Sequence, residues 1–150
     1  MDTVTYSNEK VVKFIEDHYV PLRLGHDDEH FSREYNLIWT PTLIVLDRDG
    51  KEYQRSTGFL DPDELVAFLK LGIAKEKIYR GNYDAARLHL DEILDDYPQS
   101  DAAPQALYFK GVNLYKKKDD PQELKKAYES LLEKYPGSTW AKRAVPYRHI

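Results

Sequence analysis

The chain has no cysteine among its 150 residues. Disulfides, thiolate metal sites and thiol redox chemistry are therefore excluded for these residues. A basic surplus is missing as well. The 26 acidic side chains outnumber the 22 basic ones, giving a net charge of -4 and a pI near 5.7. General nucleic-acid binding needs a basic face, which this balance does not supply. No apolar run approaches the roughly 18 residues that suggest a membrane span. The opening Met1-Asp2-Thr3-Val4-Thr5-Tyr6 has neither a charged n-region nor an apolar h-region. No signal peptide is visible there, and a cytoplasmic location is expected. Gly-rich phosphate loops and nucleophile elbows are absent too. No cofactor is expected.

The polar clusters that are present read as structure. His26-Asp27-Asp28-Glu29-His30 sets two histidines four apart beside three acids. A metal site needs three or four ligands held in place. The stretch instead suits a loop entering a helix N-terminus, where acids oppose the helix dipole. Asp95-Asp96 and Asp119-Asp120 are neighbours that point apart on a helix, so capping and solvated charge account for them. Lys116-Lys117-Lys118 fits a solvated helix end. His89, between Leu88 and Leu90 on an amphipathic helix, reads as a packed side chain.

In chain order, the first half alternates helices and strands. Ser7 can cap a helix from about Asn8 to His18, with Val11, Val12, Phe14 and Ile15 at helical spacing. Tyr19-Val20-Pro21-Leu22-Arg23-Leu24 alternates like a strand, ended by Gly25. A short helix is expected from Phe31 to Asn36. Then Trp39-Thr40-Pro41-Thr42 runs into Leu43-Ile44-Val45-Leu46, a buried-strand pattern. A proline there must sit at the strand entrance, because it has no backbone donor. Asp49-Gly50 marks a hairpin turn, and Glu52 to Thr57 is the returning strand. Leu60-Asp61-Pro62-Asp63-Glu64 is a helix start, with Asp61 as cap and Pro62 at the first helical position.

This order resembles the thioredoxin fold from its first helix onward. The resemblance rests on Val20 to Leu24, Tyr35-Asn36-Leu37, Trp39-Thr40-Pro41-Thr42, the Asp49-Gly50 hairpin and Gly58-Phe59. It implies a cis Thr40–Pro41 bond beside a substrate groove, with Thr40 and Pro41 as peptide contacts and Trp39 flanking. It also implies a preceding strand and a Cys-x-x-Cys pair, and neither is here. Met1 to Tyr6 read as the continuation of the helix that follows such a pair. Two readings follow: an N-terminally shortened chain, or direct pairing of the two strands in a reduced sheet of about three strands. Unpaired edges would invite another chain to add a strand, which is also a route to homo-oligomers.

The second half is helical. The helix from Pro62 continues past Tyr79 to Gly81-Asn82. Further helices are expected from Tyr83 to Tyr97, from Ala102 to Lys117 (with Ser100 as cap) and from Leu124 to Tyr135. Ile93-Leu94-Asp95-Asp96-Tyr97-Pro98-Gln99-Ser100 recurs 38 positions later as Leu131-Leu132-Glu133-Lys134-Tyr135-Pro136-Gly137-Ser138. Such a period marks a helix-turn-helix solenoid. The segment resembles tetratricopeptide repeats, whose own period is about 34 residues. Ala74, Gly81, Ala86, Leu90 and Pro98 carry the resemblance, with Gly111, Tyr128 and Pro136 in the second copy. Ser138 to Ala144 is expected to cap the open end, and Val145 to Ile150 to fray.

The expected architecture is an α/β thioredoxin-like unit over 1–75 and an all-α repeat unit over 62–150, sharing the helix that starts at Pro62. The expected function is a redox-inactive module that binds a protein or peptide, not an enzyme as the chain stands. Its candidate contacts are Trp39, Thr40 and Pro41, and on the repeat helices Tyr108, Lys110 and Asn113. The alternative is a piece of a thiol-disulfide oxidoreductase whose cysteine pair lies just before Met1.

Overall fold

The computed structural model describes residues 1–25 and 27–150. It divides into two compact units, Met1–Val66 and Ala67–Ile150.

In the first unit, residues 2–7 form a turn, with the Thr5 N–H donating to the Met1 carbonyl at 2.9 Å. Helix α1 (Glu9–His18) is capped by Asn8, whose side chain accepts from the Lys10 N–H. Ser7 does not fill that role, since Asn8 is the last residue with extended backbone. Val11 is α1's one fully buried side chain, so the helix presents a narrow apolar stripe. Helix α2 (Glu29–Glu34) starts earlier than expected, because the Asp28 carboxylate accepts from the N–H groups of both His30 and Phe31. Strands β1 (Thr42–Leu46) and β2 (Glu52–Thr57) pair antiparallel. Gly50 takes φ +82° in the connecting turn, where a side chain would be strained. The Asp47 carboxylate braces that turn by accepting from the N–H groups of Asp49 and Lys51. Two contacts tie the N-terminal segments to the approach to the next helix. Thr5 is fully buried and its hydroxyl donates to the Leu60 carbonyl at 2.6 Å, and Lys10 pairs with Asp63 at 2.9 Å.

The sheet has two strands. Residues 19–24 carry the alternation of a strand but form none, and Val20 and Leu22 are 96% and 78% exposed. Alternation supplies side-chain faces. A strand also needs a neighbouring backbone, and none pairs with this segment among the described residues.

Helix α3 (Pro62–Tyr79) runs through the boundary between the units. The Asp61 carboxylate caps it by accepting from the Glu64 N–H at 2.9 Å. In the second unit follow α4 (Tyr83–Asp96), α5 (Ala102–Lys118), α6 (Gln122–Lys134) and α7 (Thr139–Ala144). Asn82 caps α4 and Ser138 caps α7. The duplicated Tyr-Pro-x-Ser ending folds the same way twice. The N–H groups of Ser100 and Ser138 donate to the carbonyls of Tyr97 and Tyr135, each at 3.0 Å. The hydroxyls diverge. Ser138 caps α7, but Ser100 is buried and donates back to Tyr97 at 2.8 Å, so Asp101 occupies the cap position of α5 instead.

Close packing of α5 on α6 centres on Gly111, which is buried against Ala127. A methyl group at 111 would overlap the Ala127 Cβ. Leu107, Leu131, Ala141 and Ala144 form the core beside α7, with Leu94, Tyr128 and Tyr135 packed on it. The tail does not fray. Val145–His149 is a 3-10 helix, and Tyr147 packs on that same core. No helix among the described residues is long and apolar enough to cross a membrane.

Candidate peptide site

The loop that carries Trp39, Thr40 and Pro41 is held at both ends. On its N-terminal side Asn36 takes φ +52°, a left-handed conformation that asparagine tolerates, and the Leu37 N–H donates to Ser32 at 2.8 Å to close α2. Arg55 of β2 donates to the Tyr35 carbonyl at 2.8 Å while its fork grips Glu52 at 2.7 and 2.8 Å. The hydrogen bond from Arg55 holds the Glu52 carboxyl below its usual range. On the C-terminal side the Gly58 N–H donates to the Pro41 carbonyl at 2.8 Å, with Gly58 at φ +104°. The Thr42 hydroxyl donates to the Trp39 carbonyl at 2.6 Å and lies 3.3 Å from the Thr57 hydroxyl. The Thr40–Pro41 peptide bond is cis.

Between these anchors the apolar side chains stand out from the surface. Trp39 is 71% exposed and Ile38 93% exposed. Ser32, Leu37, Ile38, Trp39 and Thr40 line a concavity of about 250 Å³. Isolated exposed apolar residues need no explanation; here two adjacent ones stand beside that concavity. The loop contains no thiol, acid or base. It has no group of that kind to attack a bound molecule.

The helical candidates fare differently from one another. Asn113 is fully buried, and its amide donates to the Tyr83 carbonyl at 3.0 Å. It ties α5 to the first turn of α4 and offers no surface, which corrects the expectation that it faces a partner. Lys110 pairs with Asp91 at 2.6 Å with its side chain about one-third exposed. Tyr108 is half-buried; its hydroxyl meets that of Tyr147 at 2.6 Å and its ring lies 5.1 Å from Trp140. Burial and the bond to Tyr108 push the Tyr147 phenol up to about 12. These contacts belong to a cluster that the sequence pattern did not single out. Phe109 lies 5.7 Å from Trp140, Lys75 stands 5.0 Å over Phe109, and Arg143 stands 4.6 Å over Trp140. Burial lowers the Lys75 amine to about 8. The 12 tyrosines of the sequence were the available signal, but α3, α5 and α7 come together only in the folded chain.

The remaining polar clusters are placed simply. Lys117 pairs with Asp84, and Lys118 pairs with Glu123 at 3.0 Å. His89 lies 3.7 Å from the Glu92 carboxylate. His30 lies 3.5 Å from Glu34, whereas its partner in the sequence pattern, His26, lies outside the described residues. Among the described residues no group of three or more histidines and acids is arranged to hold a metal.

Comparison with known families agrees with this layout. Residues 1–73 match the family model of the thioredoxin-like domain. Residues 66–100 and 105–138 each match the tetratricopeptide repeat. The chain is a thioredoxin-like unit, with a small two-stranded sheet, followed by tetratricopeptide repeats. The two matches overlap over 66–73, inside α3. Repeats of this kind present extended surfaces to other proteins, which supports a protein partner. No curated protein and no solved structure matches the chain.

Proposed function

We propose that the chain is a redox-inactive adaptor that holds an extended segment of a partner protein at Trp39-Thr40-Pro41. The observation that carries this reading is the exposed Ile38-Trp39 pair beside the cis Thr40–Pro41 bond, in a chain without cysteine. Arg55, Thr42 and Gly58 hold the loop in place before any ligand arrives, so little ordering cost falls on binding. The repeat helices add a second surface, with Tyr108 and Lys110 as its candidates. The cytoplasmic location expected from the sequence stays with this proposal and is open to cell fractionation.

The test uses a fluorescent peptide of alternating valine and threonine with a lysine at each end. Saturable binding that Trp39→Ala weakens by about tenfold or more supports the site, as loss of an exposed aromatic anchor does in other interfaces. Binding unchanged by Trp39→Ala removes Trp39 from it.

A further inference from the structure

Cysteine and methionine are the side chains that ordinarily absorb oxidants first. This chain holds no cysteine and a single methionine, Met1, against 12 tyrosines and two tryptophans. The next oxidisable side chains are therefore aromatic, and the fold decides which of them can react with one another.

Two tyrosines meet at their hydroxyl ends. Tyr108 lies on α5 and Tyr147 on the 3-10 helix, 39 positions later. Their oxygens are 2.6 Å apart, at the short end for hydroxyl groups. Their ring centroids are 5.8 Å apart and the planes 29° from parallel. A phenol's ortho carbons flank the carbon that bears its oxygen. Rings that converge at their oxygens therefore bring ortho carbons of the two side chains face to face. Both side chains are half-buried on helical backbone, so the pair is held in place while part of each ring stays open to solvent.

Tyr108 also stands next to Trp140, with ring centroids 5.1 Å apart. The Arg143 guanidinium lies 4.6 Å over the Trp140 ring. A positive charge there disfavours a second one on the oxidised indole. A tyrosine escapes that cost, because its oxidised phenol sheds a proton and becomes a neutral radical. An electron lost from Trp140 is thus replaced from Tyr108, and oxidation collects at the tyrosine pair.

We infer that Tyr108 and Tyr147 form an oxidative cross-linking site that staples the 3-10 helix to α5. The co-reactant is a one-electron oxidant, two equivalents per bond. Each phenol gives up one electron and its hydroxyl proton. The two radicals join by a carbon–carbon bond between ortho carbons. The hydrogen on each joined carbon then moves to its own ring oxygen, so both phenols re-form. The chain ends two electrons and two protons poorer. The new bond closes a loop that contains α6 and α7, and it restricts the unfolded chain as a disulfide would.

The test exposes the full chain, in dilute solution, to light-generated tris(bipyridine)ruthenium(III), a one-electron oxidant. Peptide mapping by mass spectrometry should find Tyr108 joined to Tyr147 within one chain as the dominant tyrosine–tyrosine bond, with the loss of two hydrogen atoms. Dityrosine fluorescence should rise with it. Tyr108→Phe and Tyr147→Phe keep the rings, and each should remove that product and most of the fluorescence. In urea only loop closure brings the pair together, so its yield should fall by about tenfold or more. The linked chain should melt at least about 5 °C higher than the unlinked one. Tyrosine bonds spread over other pairs or formed mainly between chains, or a yield that urea leaves unchanged, overturn the site. A linked chain that melts no higher overturns the staple. The peptide map of the unaltered chain decides the pairing even where a phenylalanine variant fails to fold.

Discussion

Replacing Gly111 by alanine sets two opposite effects against each other. In the interior of a helix, alanine is favoured over glycine by about 1 kcal/mol. The added methyl would overlap the Ala127 Cβ and lie 3.3 Å from the Glu123 carbonyl oxygen. Both obstructing atoms are fixed to the backbone of α6, so no flexible side chain can swing aside. Overpacking of this kind costs roughly 1–3 kcal/mol, and the rigid neighbours argue for the upper half of that range. The expected net effect is destabilisation by about 1–2 kcal/mol, or a fall in melting temperature of roughly 5–10 °C for a unit of this size. Thermal and urea unfolding followed by helical circular dichroism measure it. Ala127→Gly alone should also destabilise, by about 1 kcal/mol. In the Gly111→Ala background it should instead restore stability, because the overlap has gone. Coupling of at least about 1 kcal/mol in this double-mutant cycle is the signature of direct contact. A more stable Gly111→Ala chain with no coupling would refute the packing of α5 on α6 described here.

Other outcomes follow from single groups. Burial lowers the Lys75 amine to about 8. A base with a depressed folded pKa sheds its proton first in the native state, so its contribution to stability rises between about pH 8 and 10. Lys75→Met should remove that rise in a melting-temperature profile, and an unchanged profile would contradict it. Glu123 has the opposite sense. Hydrogen bonds from Lys118 and then Lys126 hold its carboxyl below the usual range. Its stabilisation is complete above the unfolded carboxylate value and is lost as pH falls through the lower folded value. Glu123→Gln should lower stability at neutral pH and flatten the acid limb below about pH 4.3. Asp61→Ala removes the cap of α3 and should cost about 1 kcal/mol in urea unfolding; no change would mean that the cap bond is not formed in solution.

What could be read in the chain followed the range of the forces involved. The start of α3 was legible because Asp61, Pro62 and Glu64 act on their own first turn. The hairpin was legible for the same reason, since Gly50 must supply a positive φ within the turn itself. The repeat was legible because two copies of Tyr-Pro-x-Ser close the same local bond. Residues 19–24 misled because a strand is defined by a distant backbone, which alternation cannot supply. The tail misled because the Tyr147 hydroxyl finds Tyr108, 39 residues away. Asn113 looked like a surface group until its bond to Tyr83 placed it inside. At the loop, residue types pointed to Trp39, Thr40 and Pro41. The anchoring Arg55 contact to Tyr35 spans 20 positions and carries no local mark.

The most direct test of the peptide site is a two-dimensional ¹⁵N–¹H titration of the full chain with the valine–threonine peptide. Saturable shifts of the Trp39 indole and of the Trp39 and Thr40 amides are the result this account predicts. Shifts confined to the repeat helices, or none at Trp39 and Thr40 at saturating peptide, would contradict it.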